Sequence, residues 1–293
     1  MVSILIPLYN DNVVPLVEAL LNDAQDLRVP YELLIWDDGS TNAEKLPESI
    51  AVLPHVTLHR SHQNLGRTQT RQLLAQAAQY QYLLFLDADM LPIKPGFLSA
   101  YSALSQEPYD LLSGGIRYQD TPPEPAHYLR WFYGQHREAK PAAQRQQNPY
   151  FVISSNLWVK RDLFLALNKV LEHQYGLDNV FSFQLQKEQI AVLHLDNPVY
   201  HLGLEENKSY LQKTKSAVKT LLSHEQNGVI SDDFTPLQSA AKTLNRWRMT
   251  LVFIWATNPL MDFIERQLCG PRPRLLYLDI YKLHHYLALK YRS

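Results

Sequence analysis

The chain of 293 residues has one cysteine, Cys269, so no intrachain disulfide can form. That fits a reducing compartment. Long hydrophobic runs are also missing. The most apolar stretch, "MTLVFIWA", falls far short of the ~18 residues that a membrane-spanning helix needs. The N-terminal "MVSILIPLYN" lacks a basic flank and a small-residue cleavage site, so it reads as a strand rather than a secretory leader. Net charge is nearly absent, at a formal -1, which excludes the broad basic footprint of a nucleic-acid binder. There is no internal repeat and no low-complexity tract, which removes solenoids and disordered tails. With 46% hydrophobic and 19% charged residues, what remains is an ordinary globular protein, expected in the cytoplasm.

The charge that is present is unevenly placed. Residues 242–293 hold nine Lys/Arg against three Asp/Glu, an excess of +6 that leaves the remainder of the chain at -7. Within that region lies "RWRMTLVFIWATNPLMDFIERQL". Two readings stay open for it. It rests peripherally on an anionic membrane surface, on the inner membrane face, and meets a lipid-linked acceptor, or it is a helix packed on its own domain or on a second subunit.

The first ninety residues alternate strand and helix patterns. Residues 2–8 form a near-continuous apolar run, as in a strand buried on both faces of a parallel sheet. Residues 12–24 carry Val13, Val14, Leu16, Val17, Leu20 and Leu21 on one broad helical face. Residues 32–36 form a second strand, closed by the turn residues Asp37, Asp38, Gly39 and Ser40. "VTLHRS" predicts a third strand, residues 67–79 a helix, and "YLLFLDAD" a fourth strand. The pattern predicts an α/β fold with a mostly parallel central sheet flanked by helices. Further on, residues 109–119 read as one strand carrying a Gly pair. Residues 120–149 read as a Pro-rich, then basic and aromatic loop with a short helix. Residues 150–167 read as a strand running into a helix, and 190–203 as one strand ending near His201. Helical patterns dominate from 204 to the end, so residues 1–205 are expected to form the main domain and 206–293 a helical C-terminal extension.

Polar residues gather where ligands bind in such sheets, outside the carboxyl ends of the strands. Tyr9 and Asn10 follow the first strand, Asp37 and Asp38 the second, and Asp87 and Asp89 the fourth. Two carboxylates one residue apart at the end of a buried strand need compensation. A hard divalent cation holding a diphosphate would supply it, because Mg²⁺ typically takes one or two carboxylates plus phosphate oxygens. Capping of the next helix is the competing reading.

The segments "SILIPLYN", "ELLIWDDGST", "NLGRTQTRQLLAQAAQYQYLLFLDAD", "YGLDNVFSFQL" and "DNPVYHLG" recur here in an order that resembles family 2 glycosyltransferases of the A-type fold, with a Rossmann-like nucleotide-binding half. The resemblance implies metal-dependent transfer of a sugar from a nucleotide-diphosphate donor to a hydroxyl of a glycan or lipid-linked acceptor, with inversion, and a need for Mg²⁺ or Mn²⁺. It places Pro7, Tyr9 and Asp38 at the nucleotide base, Arg67 and Arg71 beside the donor, and Asp87 with Ala88 at the ribose. Asp89 and His201, with Asp87 alongside, fall at the metal. For each arginine, pairing with the acidic strand ends is a competing structural role. Where many members carry Glu-Asp, this chain has Leu177-Asp178; Asp178 is then the candidate base, with the N-cap of the following helix as the competing reading, and activity is reduced or the acceptor unusual if the first acid is the one required. That departure also motivates the alternative of a non-catalytic nucleotide-sugar binder. Gly114 and Gly115 are expected either to let the backbone pass close to a ligand or merely to kink the strand. The cations and aromatics of residues 128–145 form either an acceptor platform or an anchor for the loop.

Overall fold

The computed structural model describes residues 1–41, 48–105, 107–169 and 175–291. In chain order the elements begin with β1 (Val2–Leu8), α1 (Val14–Asp23), β2 (Tyr31–Asp37), β3 (Val56–Arg60), α2 (Arg67–Ala77) and β4 (Tyr82–Leu86). They continue with β5 (Met90–Pro92), α3 (Phe97–Ser102), β6 (Leu111–Ser113), β7 (Ile116–Arg117), α4 (Tyr128–Tyr133) and α5 (Ala142–Arg145). Next come β8 (Asn156–Lys160), α6 (Arg161–Leu167), α7 (Asp178–Lys187), β9 (Val192–His194) and β10 (Val199–His201). The helices α8 (Asn207–Gln226), α9 (Pro236–Arg246), α10 (Thr250–Thr257), α11 (Met261–Leu268) and α12 (Leu275–Tyr291) complete the chain.

Two compact units result. The first comprises Met1–Gln119, Glu138–His173 and Gln184–Gly203. Its main sheet has the order β3-β2-β1-β4-β8-β6-β9. The first four of these strands run parallel, β8 runs antiparallel to both β4 and β6, and β9 is parallel to β6. In β1 every residue but Pro7 is buried, as expected of a strand covered on both faces. Pro7 is tolerated because the pairing of β1 with β4 ends at Leu5, while Leu8 on the other side still accepts from Asp38 N. Strand order reverses between β1 and β4, and this switch point sets the rim on which the polar residues sit.

A second sheet, of order β5-β10-β7, sits in the same unit. Two sequence expectations differ here. The segment 109–119 is not one strand: Gly114 and Gly115 split it into β6 in the large sheet and β7 in the small one. The segment 190–203 likewise divides into β9 and β10, again in different sheets. The Gly pair admits protein groups. A Cβ on Gly114 would lie 2.0 Å from the Tyr101 hydroxyl and 2.5 Å from Asn156 Nδ2. One on Gly115, whose φ is +81°, would lie 2.7 Å from Arg145 Nη2.

The second unit comprises Asp120–Arg137, Gln174–Phe183 and Leu204–Ser293. Its core joins Leu129 to Tyr210, Leu211, Ile264, Leu268, Leu278 and Tyr281. Asn207, which is buried, accepts from Leu129 N at 2.9 Å and donates to Pro125 O at 2.8 Å. Much of the expected loop at 120–149 is therefore helical. Its aromatics and cations serve the anchor reading within this unit: Arg130 lies 5.6 Å from the Tyr210 ring centre, Lys282 4.5 Å from that of Tyr133, and Arg137 pairs with Asp279 at 2.8 Å.

Candidate functional site

The site is built at the carboxyl ends of β1, β2 and β4 in the first unit. Tyr9 is half exposed just past β1, and Asn10 takes a left-handed φ of 52°. That conformation lets Asn10 N donate to Ser40 Oγ at 2.8 Å while Asn10 Oδ1 accepts from Thr41 N at 2.9 Å, joining the two strand ends. Asp38 is buried. Its Oδ1 accepts from Leu65 N at 2.8 Å and its Oδ2 from Gly66 N at 2.9 Å, so it fastens the turn that opens α2. Two N–H bonds do not exhaust the acceptor capacity of a carboxylate, but what Asp38 does in the fold is hold that turn.

Arg67 and Arg71, one turn apart on α2, both reach Asp87 at the end of β4. Arg67 Nη2 lies 2.5 Å from Oδ2 and Arg71 Nη2 lies 2.5 Å from Oδ1. Arg71 is buried and also donates to Ser154 Oγ at 2.9 Å and to Ser154 O at 3.1 Å. Burial alone would raise the Asp87 carboxyl. The two guanidiniums, helped by His201, outweigh it and hold the group below its ordinary value. The structural role left open for the arginines is thus realised, and both Asp87 oxygens are occupied by cationic partners. As a metal ligand Asp87 would have to share these oxygens; Ala88 beside it is nearly buried.

Asp89 and His201 come together through the small sheet. β10 pairs with β5 so that His201 faces Met90, and Leu202 N donates to Asp89 O at 2.9 Å. This sets Asp89 Oδ2 3.0 Å from His201 Nε2. On the other side of β10, the parallel β7 delivers Tyr118. The Tyr118 hydroxyl donates to Glu138 Oε2 and lies 3.0 Å from His201 Nδ1. Because the single hydroxyl proton is committed to Glu138, Nδ1 must donate to the tyrosine oxygen. Nδ1 therefore carries a proton, and Nε2 is the nitrogen that faces Asp89.

Gly203 completes the arrangement. A Cβ there would lie 2.1 Å from Asp89 Oδ2 and 2.9 Å from Asp89 Cγ, so only glycine leaves that oxygen where it is. Among the described residues no group of three or more His, Cys, Asp or Glu side chains forms a metal cage. Asp89 and His201 offer two ligands, and a cation held there would take the rest from water and phosphate. Nε2 and Oδ2 are close enough to ligate one cation side by side, and Oδ2 is seated against Gly203 in the space a Cβ would fill. These residues fit a divalent metal.

Asp178 belongs to the second unit. It is the first residue of α7 and not the residue before it: Leu177 O accepts from Val180 N at 2.9 Å, and the Leu177 side chain is buried. The leucine suits its buried place, where a carboxylate would be desolvated. The sequence reading did not assign roles to Ser154, Tyr118, Glu138 or Gly203. Gly203 lay inside the quoted "DNPVYHLG"; for the other three, no motif marks them.

The profile of glycosyl transferase family 2 matches residues 3–167, more than half of the chain. No curated protein matches by sequence at a significant level. Among solved structures, the mannosyltransferase PcManGT from Pyrobaculum calidifontis, in complex with GDP-Man and Mn²⁺, aligns with a TM-score of 0.62 at 15% identity. The alignment covers 100% of this chain and 87% of that one. The mannosyl-3-phosphoglycerate synthase from Rubrobacter xylanophilus aligns with a TM-score of 0.56 at 13% identity, over 80% of this chain and 77% of its own. S. aureus TarS 1-349 aligns with a TM-score of 0.50 at 14% identity, over 99% and 91%. The likenesses carry the fold, and the profile carries the family: the chain belongs to glycosyl transferase family 2 and is a glycosyltransferase.

Proposed function

We propose that this protein moves a sugar from a nucleoside-diphosphate donor to a hydroxyl of a glycan or lipid-linked acceptor, with inversion and with a requirement for Mg²⁺ or Mn²⁺. One observation carries the proposal: Asp89 and His201, distant in sequence, meet at 3.0 Å, with the carboxylate seated against a glycine that has no Cβ to displace it. Asp89 and His201 would hold the cation, which when bound supplies positive charge against the leaving diphosphate. Pro7, Tyr9 and Asp38 form the wall for the base. Asp87, kept ionised by Arg67 and Arg71, offers a fixed acceptor to the ribose. Asp178 takes the proton from the acceptor hydroxyl.

The reading is tested with thermal melts of the full chain against a panel of nucleoside diphosphates and nucleotide sugars, with and without Mn²⁺. A donor at a hundred times its Kd stabilises by about 2.7 kcal/mol, or roughly 4–5 °C for a protein of this size. The Mn²⁺-dependent part of that shift should vanish in Asp89→Asn. A shift that Asp89→Asn leaves intact would remove the metal pair from the proposal. Binding with no turnover across a broad acceptor panel would favour the non-catalytic binder.

The Glu138–Tyr118–His201 chain yields a second expectation. Partners that orient a ligating histidine are typically worth 10–100-fold in metal affinity. Tyr118→Phe keeps the ring stacked edge-on to His201, whose ring centre lies 5.3 Å away, and deletes only the hydroxyl. Mn²⁺ affinity, read from the free-ion EPR signal during titration, should fall by about that factor with little change in the melting midpoint. An unchanged Kd would mean that the ring is held by packing alone.

A further inference from the structure

The segment around α10 is inside out. In a helix on a soluble core the apolar residues face inward. In α10 the buried residues are Thr250 and Thr257, while Leu251 is 71% exposed and Trp255 78% exposed. Thr257 Oγ1 donates to Phe253 O of its own helix at 2.7 Å and meets His284 Nδ1 of α12 at 2.7 Å, so the threonine face of α10 lies against the bundle. Six more apolar residues of the segment from 247 to 276 are exposed: Trp247, Met249, Val252, Leu260, Phe263 and Leu276. So many large apolar side chains exposed in one segment mark an interaction site.

Charge indicates the occupant. The exposed Arg246 and Arg248 bracket Trp247 at the start of α10, and Arg266, Arg272 and Arg274, also exposed, follow along α11 and the approach to α12. Tryptophans and arginines bordering an uncharged helix form the composition that lies in a bilayer interface, apolar groups in the acyl boundary and guanidiniums among the headgroups. A two-fold contact with a second copy would set the same arginine-rimmed patch against itself, so like charges oppose that occupant. Among the described residues no helix is long and apolar enough to cross a membrane. We propose that this face of the second unit is a peripheral docking surface for an anionic phospholipid bilayer. It stands independently of the transferase chemistry.

The full chain should co-sediment with vesicles containing one-third phosphatidylglycerol in phosphatidylcholine, and release from them at high salt. Tryptophan emission should shift to the blue on binding. Arg246→Gln with Arg248→Gln should weaken partitioning roughly 10–30-fold, at about fivefold per lost cation. Leu251→Ser with Trp255→Ser should abolish it. Both pairs are at exposed positions, and circular dichroism verifies that the fold is kept. No binding to either vesicle overturns the proposal, as does equal, salt-insensitive binding to pure phosphatidylcholine. A dimer seen by light scattering, dissolved by Leu251→Ser with Trp255→Ser while vesicle binding is absent, overturns it in favour of a second copy.

Discussion

Exchanging Asp178 for asparagine is expected to lower kcat by on the order of 10²–10⁴-fold, the worth of a single positioned base, while the donor Kd stays within a factor of two or so of the wild type. The side chain opens α7, following a buried leucine. Asparagine has the same shape and is also accepted at a helix start. The structural cost is therefore small, within about 1 kcal/mol for an exchange in the first helical turn. Loss of turnover at constant stability and constant donor affinity is the signature of a proton acceptor. A parallel fall in melting midpoint would assign Asp178 to holding the helix, and an unaltered kcat would remove it from the proposed chemistry. Because Leu177 is buried, restoring an acid with Leu177→Glu should destabilise rather than activate.

The second large effect is on stability. Arg71→Met should cost about 3 kcal/mol at neutral pH, the lower end for breaking a buried pair, because Arg67 remains on Asp87. The Arg71 side chain is 6% exposed and that of Asp87 20%, so solvent screens little of the interaction. Arg71 also bonds Ser154 twice, tying α2 to the residues just before β8. The sign with pH follows from Asp87, whose carboxyl is held below its ordinary value in the folded protein. Its contribution is fully present above the unfolded value and is lost as pH falls through the depressed folded one. Urea titrations should thus show a smaller Arg71→Met deficit in acid than at pH 7. A deficit that is the same at both pH values would mean that packing and the Ser154 bonds, not the ion pair, carry the effect. A cycle with Asp87→Asn isolates the pairwise part.

Long buried elements were legible and short ones were not. β1, β2 and β4 announce themselves as apolar runs closed by acidic or turn residues, because a strand covered on both faces needs such a run. With those strands fixed, the rim positions of Tyr9, Asp38, Asp87 and Asp89 follow. β7 has two residues and β10 three, too few to express a period, so the division of 109–119 and of 190–203 between two sheets was invisible. In 120–149 the prolines and mixed composition hid the short helices α4 and α5. Tyr118, Glu138 and Ser154 owe their places to hydrogen bonds across distant segments, which no local pattern encodes. The exposure of α10 was equally hidden, because a helix apolar on all sides has no preferred face to read.

The three-stranded ladder of β5, β10 and β7 has one further consequence. Side chains alternate between faces along a strand, so a shift of β10 by a single residue would turn His201 away from both Asp89 and Tyr118 at once. The connections between the three strands face no such discreteness, since lengthening a surface loop costs little. Insertions elsewhere in the chain can therefore remodel what the enzyme accepts while the spacing of this pair stays quantised, either intact or lost, with no intermediate setting.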